Sequence, residues 1–214
     1  MPILWRDVRP HTLPDAALHG SELWQHNLSI EQGKRYALSA ISGKGKSTAV
    51  SILSLSRTDY DGTVAVNNLD ARTATVGALA HLKREVISTV WQDLRLIPHL
   101  TGQENVQLRL EQLPEKTSWS AVESWAERLE IDKVWHRPAS QLSYGERQRV
   151  AIIRALVLPF QYLILDEPFS HLDPGNTQAA GQLIQEIAAN HQAGYIITTL
   201  QPEPELPTDI LIRL

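Results

Sequence analysis

Short apolar and β-branched runs alternate along the chain with segments whose apolar residues recur every three or four positions. The runs predict buried strands at residues 35–41, 86–91, 162–165, 195–199 and 209–212. The three- and four-residue spacing predicts helices at residues 47–55 and 145–156, and another helix that begins at Pro174. Strands that alternate with helices indicate an α/β fold with a mostly parallel sheet covered on both faces.

Two regions depart from this alternation. Near the start, residues 3–8, 22–30 and 63–67 predict short strands of a small antiparallel sheet, separated by loops that contain Pro and Gly. The middle of the chain is helical in its spacing, most clearly over residues 103–113 and 118–129. We therefore expect a sheet-rich part and a helical part attached to the α/β core.

Three tryptophans, Trp119, Trp125 and Trp135, fall in or near the helical part. Aromatic side chains supply much of the area that cores bury, and they are also enriched at interfaces. Core packing and a partner-binding aromatic patch are the two interpretations that the sequence leaves open.

Composition narrows the classes of function. The chain has 214 residues, enough for one or two domains, and its formal charge of −4 does not favour a nucleic-acid partner. Cysteine is absent, which excludes disulfides, thiolate metal sites and cysteine nucleophiles. No run approaches about 18 uninterrupted apolar residues, and residues 1–10 lack the apolar core of a signal peptide. We therefore expect a cytoplasmic protein whose membrane-spanning partner, if it serves one, is another polypeptide.

The first chemical motif is a glycine-rich loop between a predicted strand and a predicted helix. We expect all seven of its residues to bind a nucleotide: Ser42, Gly43, Lys44, Gly45, Lys46, Ser47 and Thr48. A triphosphate needs converging backbone N–H groups, the positive end of a helix, a cation and a hydroxyl for its metal. Gly43 and Gly45 allow close approach of the backbone, Lys46 neutralises the β- and γ-phosphates, and Ser47 ligates Mg²⁺. Ala40 stands at the first position of the G-x-x-x-x-G-K-S/T pattern, which is tolerable where its φ is negative.

The second motif is the pair Asp166-Glu167 at the end of an apolar strand. Charged groups are costly to bury, so two carboxylates at such a place indicate a function. Asp166 is expected to hold Mg²⁺ through its bound water, and Glu167 to accept a proton from the attacking water. A small P-loop kinase, which transfers a phosphoryl group to a substrate hydroxyl, is the alternative from another class of enzyme. The adjacent pair favours hydrolysis over that transfer.

Ser143 follows Lys46 by 97 positions and opens the segment Ser143-Tyr144-Gly145-Glu146, preceded by leucine. This segment resembles the signature L-S-G-G-Q of ATP-binding-cassette ATPases, and together with the two earlier motifs the resemblance covers nearly the whole chain. In that family Ser143 and the N–H of Gly145 would bind the γ-phosphate held by a second copy. The resemblance therefore implies a head-to-tail dimer in which ATP joins two helix N-termini to two phosphate loops.

The same resemblance implies the fold. It predicts a P-loop NTPase, RecA-like core with a small antiparallel β-subdomain and a helical subdomain, in one domain that spans residues 1–214. Residues 1–92 and 150–214 would form the nucleotide-binding core with its β-subdomain. Residues 93–149 would form the helical subdomain that carries the signature.

Two weaker motifs take meaning from their order beside the others. Gln92, at the end of the predicted strand 86–91, resembles the family's Q-loop glutamine, which is catalytic and reaches Mg²⁺. Asp173, which ends Ser-His-Leu-Asp, resembles the aspartate of the D-loop and would line the dimer seam.

Several positions depart from the family pattern. Tyr144 replaces a glycine of the signature, and Glu146 replaces its glutamine. Leu200 occupies the place of the switch histidine, and leucine cannot hydrogen-bond the γ-phosphate or the water. We therefore expect slow hydrolysis, partly rescued by Gln201. The usual adenine-stacking aromatic is also missing, and His19 is either its substitute or an ordinary surface histidine.

The resemblance implies that the chain is the ATP-hydrolysing subunit of a transporter or mechanotransmission complex. The implied cofactors are ATP and Mg²⁺, and the implied partners are a second ATPase subunit and a transmembrane permease-type subunit. The implied location is the inner face of the cell membrane. Residues 91–98, with Glu104-Asn105-Val106, resemble the branch that serves lipoprotein release, macrolide efflux and septal cell-division complexes.

Two alternatives within the family remain open from the sequence. One is a degenerate regulatory subunit that binds ATP and barely hydrolyses it. The residues Ala40, Tyr144 and Leu200 favour this alternative. The other is a non-transport cassette protein, although a chromosome type would need a long coiled coil between the motifs.

Overall fold

The computed structural model describes residues 1–40, 43–113, 117–199 and 203–214. Two sheets organise these residues, a four-stranded antiparallel sheet and a five-stranded parallel sheet. Helices cover the parallel sheet on both faces, as the alternating pattern predicts. The expected α/β fold with a small antiparallel sheet and a helical part is confirmed.

The strands are β1 (Ile3–Pro10), β2 (Asn27–Ile30), β3 (Arg35–Ser39), β4 (Tyr60–Val66), β5 (Leu69–Asp70), β6 (Ile87–Val90), β7 (Tyr162–Asp166), β8 (Gly194–Thr199) and β9 (Ile210–Arg213). The antiparallel sheet has the order β2-β1-β4-β5, and the parallel sheet has the order β6-β7-β8-β3-β9. Because neighbouring strands of the second sheet are parallel, their carboxyl ends meet at one edge. The glycine loop follows β3, Gln92 follows β6 and the carboxylate pair ends β7, so all three motifs lie at that edge.

The helices are α1 (Asp15–Leu18), α2 (Lys46–Leu53), α3 (Val76–Glu85), α4 (Gly102–Leu110), α5 (Trp119–Arg128), α6 (Tyr144–Leu156) and α7 (Pro174–Asn190). A hydroxyl or carboxylate fixes where five of the helices begin. Each capping side chain accepts a hydrogen bond from the backbone N–H three residues later, and the caps are Thr75, Thr101, Ser118, Ser143 and Asp173. Such caps satisfy one of the N–H groups that a helix start leaves without an internal partner.

Side chains of the parallel sheet alternate between two apolar clusters. Leu163 and Leu165 of β7 pack in the cluster formed with α4, α5, α6 and α7. Ile164, between them, packs in the other cluster, which includes α2 and the antiparallel sheet. This is the two-residue period of a strand that is buried on both faces.

The tryptophans of the helical part pack into the first cluster. Trp125 and Trp135 are 8% and 4% exposed, and Trp119 packs against the cluster while partly exposed. Of the two interpretations open from the sequence, core packing is the one that the structure supports.

The strand predicted over residues 22–30 is wrong in its first part. The Ser21 Oγ accepts hydrogen bonds from the backbone N–H groups of Leu23 and Trp24, both at 3.0 Å, which fixes a turn. Only the last four residues of that range pair with β1. The apolar pattern there has a different cause, since Trp24 is buried against Trp5 with ring centroids 5.4 Å apart.

Helix α3 is absent from the sequence prediction because its apolar stripe is weak. Only Leu82 among its ten residues is buried, and Val76 is 85% exposed. The short elements α1 and β5 were likewise not predicted. Helix α6 runs across the expected boundary between residues 149 and 150, so the helix that begins at the signature is continuous with the core. None of the helices in the described ranges is long and apolar enough to cross a bilayer.

Candidate nucleotide and catalytic site

The glycine loop has the backbone that its sequence requires. Gly43 and Gly45 have φ angles of +85° and +91°, in the left-handed region that favours glycine. A Cβ on Gly45 would also lie 2.5 Å from the Leu13 Cδ1 and 3.0 Å from the Trp24 ring. Ala40 does not have a positive φ, so alanine is unstrained at the first position of the motif. Ser42 lies outside the described residues.

Lys46, the first residue of α2, connects the glycine loop to the carboxylate pair. Its ammonium group donates a hydrogen bond of 2.8 Å to the Ala40 carbonyl oxygen and lies 3.9 Å from Glu167 Oε1. The Lys46 side chain is only 10% exposed. The structure therefore places the cation predicted for the phosphates beside the carboxylate predicted for the water.

Thr198 organises the carboxylate pair. Its hydroxyl donates to Asp166 Oδ1 at 2.6 Å and accepts from the Glu167 backbone N–H at 3.1 Å. Burial raises the pKa of Asp166 above its ordinary value, against the hydrogen bond from Thr198, which lowers it. Thr198 was not predicted from the sequence. The only available signal was its place near the end of a strand that pairs with β7, where Thr198 lies opposite Asp166.

Gln92 completes the predicted catalytic group. Its Nε2 donates to Glu167 Oε2 at 3.3 Å, although the two residues are 75 positions apart. The buried Gln148 donates to the Glu167 carbonyl oxygen at 3.2 Å and holds the backbone there. Glu167 itself has a φ of +48°, an uncommon backbone for this residue, in a segment held by several hydrogen bonds.

The oxygen atoms expected to hold Mg²⁺ come from Ser47, Gln92 and Asp166. A hydroxyl, an amide oxygen and a carboxylate are the hard ligands that Mg²⁺ prefers, usually together with phosphate oxygens and water. Asp166 is 4% exposed and already uses one oxygen to accept from Thr198, which leaves the other oxygen for such a role. The residues present fit this ion.

The signature segment begins α6, and its residues after Ser143 are half-buried. Ser143 is exposed, and its hydroxyl accepts from the Glu146 N–H at 3.2 Å while the Glu146 carboxylate accepts from the Ser143 N–H at 2.7 Å. Burial alone would raise the pKa of Glu146, but the hydrogen bonds from Ser143 hold it below its ordinary value. A Cβ on Gly145 would lie 2.9 Å from the His171 carbonyl oxygen, so glycine is required for this close approach. Ser143 is thus directed away from its own core.

Asp173, predicted for the dimer seam, caps α7. Its carboxylate accepts from the Asn176 N–H at 3.0 Å and from the Asn176 side chain at 2.5 Å. These hydrogen bonds hold the pKa of Asp173 below its ordinary value. The structure gives this residue a helix-capping role within one chain.

The remaining loop residues lie near the segment expected to hold the base. The Lys44 ammonium donates to the carbonyl oxygens of Ala16 and His19, at 3.2 Å and 3.3 Å, and the His19 side chain is exposed. Thr48 lies in the first turn of α2 and is half-buried. Trp24 donates to the Lys44 carbonyl at 3.2 Å, but its ring is 1% exposed and cannot stack on a base.

A cleft of about 340 Å³ opens beside Glu167, between β8 and the start of α7. Glu203 lines it, and the Thr199 hydroxyl donates to the Glu203 carboxylate at 3.2 Å. Burial raises the pKa of Glu203 above its ordinary value. Glu203 was not identified from the sequence because it lies in a stretch rich in Pro and Glu, residues 201–207, whose composition indicates a surface loop.

Comparison with known proteins identifies the family of this chain. Residues 23–170 match the protein family described as ABC transporter. The lipoprotein-releasing system ATP-binding protein LolD of Saccharophagus degradans is 36% identical over 180 residues, which are 81% of this chain and 77% of LolD. The macrolide export ATP-binding/permease protein MacB of Vibrio parahaemolyticus is 33% identical over 174 residues, which are 80% of this chain and only 26% of MacB. The predicted resemblance to the branch of lipoprotein release and macrolide efflux is confirmed by these relatives.

A solved structure gives the same result. The dimeric post-hydrolysis state of the ATP-binding cassette MJ0796, bound to ADP and Pi, has a TM-score of 0.78 and 27% sequence identity to this chain. The likeness covers 94% of this chain and 88% of that one. The parallel sheet brings a glycine loop, a glutamine and a carboxylate pair to one edge, as described above. This arrangement and the matches establish that the chain belongs to the ABC transporter family as one of its ATP-binding subunits.

Proposed function

We propose that two copies of this chain bind two Mg²⁺-ATP molecules head to tail and hydrolyse them to drive a separate membrane subunit. The observation that carries this proposal is the convergence of Lys46, Gln92 and Glu167 at one sheet edge. An exposed Ser143 at the start of α6 supports the dimer, because a helix N-terminus that faces outward can bind an anion held by another molecule.

Glu167 is the general base of the proposed reaction. A water oxygen attacks the γ-phosphorus, the bond from that phosphorus to the β–γ bridging oxygen breaks, and the water proton passes to Glu167. Gln92, hydrogen-bonded to the Glu167 carboxylate, orients the water, and Lys46 offsets the charge of the phosphates. Mg²⁺, held by Ser47, Gln92 and Asp166, supplies further charge neutralisation when bound.

Hydrolysis by this subunit is proposed to be slow. Leu200, outside the described residues, has no group that can hydrogen-bond the γ-phosphate or the attacking water. The family's imidazole at that place can do both. The amide of Gln201, the next residue in the sequence, is proposed to replace that imidazole in part.

The membrane subunit is proposed to dock in a groove of about 510 Å³ between β6, α4 and α6. We call this the cationic groove, lined among others by Lys83, Arg95, Ile97, Leu108, Arg109 and Arg154. Ile97 and Leu108 are 37% and 49% exposed, so the groove presents apolar side chains beside its cations. The pKa of Arg154 is lowered to about 10, first by burial and then by the nearby Arg109. A partner there would hold the chain at the inner face of the cell membrane.

Replacing the general base tests the dimer and the chemistry together. We expect Glu167→Gln to form a stable dimer in Mg²⁺-ATP, because it binds nucleotide and cannot accept the proton of the attacking water. Size-exclusion chromatography with light scattering measures the dimer, and release of inorganic phosphate measures hydrolysis.

Two controls define this experiment. Lys46→Ala in the Glu167→Gln background should remain monomeric, since the phosphates lose their cation. Glu167→Gln protein that stays monomeric in saturating Mg²⁺-ATP, or that releases phosphate at the native rate, would contradict the proposed function.

A regulatory subunit that binds ATP without turnover is the second candidate. Tyr144 and Glu146 in the signature and Leu200 after β8 favour it. Single-turnover phosphate release separates the candidates, because a slow ATPase converts one equivalent of bound ATP to ADP and a regulatory subunit leaves it intact.

A further inference from the structure

Tyr144 makes a contact that the usual residue of the signature cannot make. Its hydroxyl donates a hydrogen bond of 2.5 Å to the backbone carbonyl oxygen of Gln92, which is 52 positions away. Glycine, the residue of L-S-G-G-Q at this place, has no side chain to reach that carbonyl. The hydrogen bond therefore joins the first turn of α6 to the backbone of Gln92, two positions after the end of β6.

The Tyr144 ring is fixed on its other side. It lies against the His171 ring, with centroids 4.1 Å apart, and the Arg147 guanidinium carbon lies 5.3 Å from its centroid. His171 is held in turn, because its backbone N–H donates to Gln148 Oε1 at 3.3 Å and its Nδ1 lies 2.8 Å from the Ser170 hydroxyl. A ring clamped in this way has one direction for its hydroxyl.

These contacts belong to a continuous ring of interactions that includes Glu167. The Gln92 side chain donates to the Glu167 carboxylate at 3.3 Å, and Gln148 donates to the Glu167 carbonyl at 3.2 Å. Tyr144 joins the two branches, since it bonds Gln92 and stacks on His171, which bonds Gln148. The side chain next to Ser143 thus lies two contacts from the general base of its own subunit.

We propose that Tyr144 is a positioning residue for ATP hydrolysis, which holds Gln92 in reach of Glu167 and couples it to the signature turn that closes on the partner's nucleotide. This inference rests on the proposed function. Ser143 meets the phosphate of one site while Tyr144, the next residue, fixes the catalytic glutamine of the other. Removing the hydroxyl frees the Gln92 backbone and leaves both phosphate-binding groups in place.

The test is Tyr144→Phe, which keeps the ring against His171 and removes only the hydroxyl. We expect kcat for phosphate release to fall about fivefold, the loss typical of one hydrogen bond, with KM for ATP unchanged. The Hill coefficient of turnover against ATP should move towards one. In the Glu167→Gln background, Tyr144→Phe should dimerise at the same ATP concentration as the parent.

Tyr162→Phe is the matched control, since its hydroxyl also donates to backbone carbonyls, those of Met1 and Ile30, but at the far end of β7. It should lower the melting temperature without a fall in kcat. A Tyr144→Phe protein with native kcat, or one whose KM and dimerisation change while kcat does not, would overturn the positioning role. So would a Tyr144→Gly protein that hydrolyses ATP faster than the native chain, because the ring would then only obstruct closure. Failure of the Glu167→Gln dimer alone would instead count against the proposed function.

Discussion

Glu146 places a negative charge where the signature of the family has a neutral amide. Its carboxylate accepts from the Ser143 N–H at 2.7 Å, so it sits at the helix end that is proposed to receive the partner's γ-phosphate. Two anions at one helix N-terminus compete for the same positive end of the dipole. The native residue therefore stabilises α6 in the single subunit at some cost to closure of the dimer.

We expect Glu146→Gln to lower the ATP concentration for half-maximal dimerisation about threefold, because the amide oxygen can still cap α6 and the repulsion of about 0.7 kcal/mol is removed. Light scattering of the variant in the Glu167→Gln background measures this midpoint.

Helix α4 offers the control for that substitution. Glu104 closes the same reciprocal cap with Thr101, accepting from its N–H at 2.8 Å, on a helix that contributes no residue to the nucleotide site. Glu104→Gln should leave the midpoint where it is. A midpoint that rises in Glu146→Gln, or an equal shift in both variants, would rule out charge repulsion at the phosphate.

The candidate site shows which residue roles a sequence can predict. Lys46, Gln92 and Glu167 could be named as candidates because each follows a strand in a recognisable local motif, and the structure brings the three together. Thr198 was missed because its role comes from the pairing of β8 with β7. Tyr144 was seen only as a departure, since its partner Gln92 is distant in sequence and near only in the fold.

At the scale of elements, β9 is an edge strand that pairs with β3, and the ion pair Arg35–Asp209 reinforces this pairing where the strand begins. Arg35, at the start of β3, donates to Asp209 through its backbone N–H at 3.0 Å and through its guanidinium at 2.6 Å and 3.1 Å. The hydrogen bonds from Arg35 lower the pKa of Asp209 to about 2. A carboxylate with a lowered pKa stabilises the fold above its unfolded value, about pH 3.9, and that contribution is lost as pH falls towards 2.

We expect Asp209→Asn to melt about 2–4 °C below the native chain at pH 7, a loss of about 1 kcal/mol after allowance for solvent screening of a half-exposed pair. The gap should stay constant down to about pH 5 and close between about pH 4 and pH 2. Circular dichroism melts at several pH values provide the measurement.

The local pair Arg57–Asp59 is the comparison for that variant, because its members are two positions apart and join no strands. Asp59→Asn should melt close to the native chain at every pH. A gap for Asp209→Asn that is unchanged at pH 3 would show that the ion pair does not hold β9.

Helices and strands could be predicted from the sequence where their buried positions follow the expected spacing of apolar residues. The run at β7 is buried at all five positions and was placed to within one residue, because a strand covered on both faces is apolar throughout. Helix α3 was missed because a mostly exposed helix carries no apolar stripe. Residues 22–26 were assigned to a strand although the Ser21 hydroxyl holds a turn there, a local competitor that hydrophobic pattern does not report.

At the scale of the whole molecule, the proposed membrane partner and ATP bind at different places. The partner is proposed to bind in the cationic groove, and ATP at the edge of the parallel sheet. Its wall contains three arginines and a lysine, and no carboxylate is among its lining residues. Burial and the neighbouring Arg95 lower the pKa of Lys83, and burial and Arg84 lower that of Arg109. Arg95 also lies 3.4 Å from Asp93, outside the groove lining. The remaining excess of cations beside exposed leucine and isoleucine favours an amphipathic helix with acidic residues as the occupant.

Leu108→Asn tests this surface, because it removes an apolar anchor of the groove without changing charge. We expect its affinity for the membrane subunit, purified in detergent, to fall at least tenfold, as for a leucine that is buried on binding. Val76→Asn, on the outer side of α3 and 85% exposed, should bind like the native chain. Both variants should still dimerise in ATP when combined with Glu167→Gln.

Native binding should also weaken between 50 and 500 mM salt (about 14 to 4 Å of screening length), because attraction to the cations is screened. Equal affinity of the two asparagine variants would place the membrane subunit on another face.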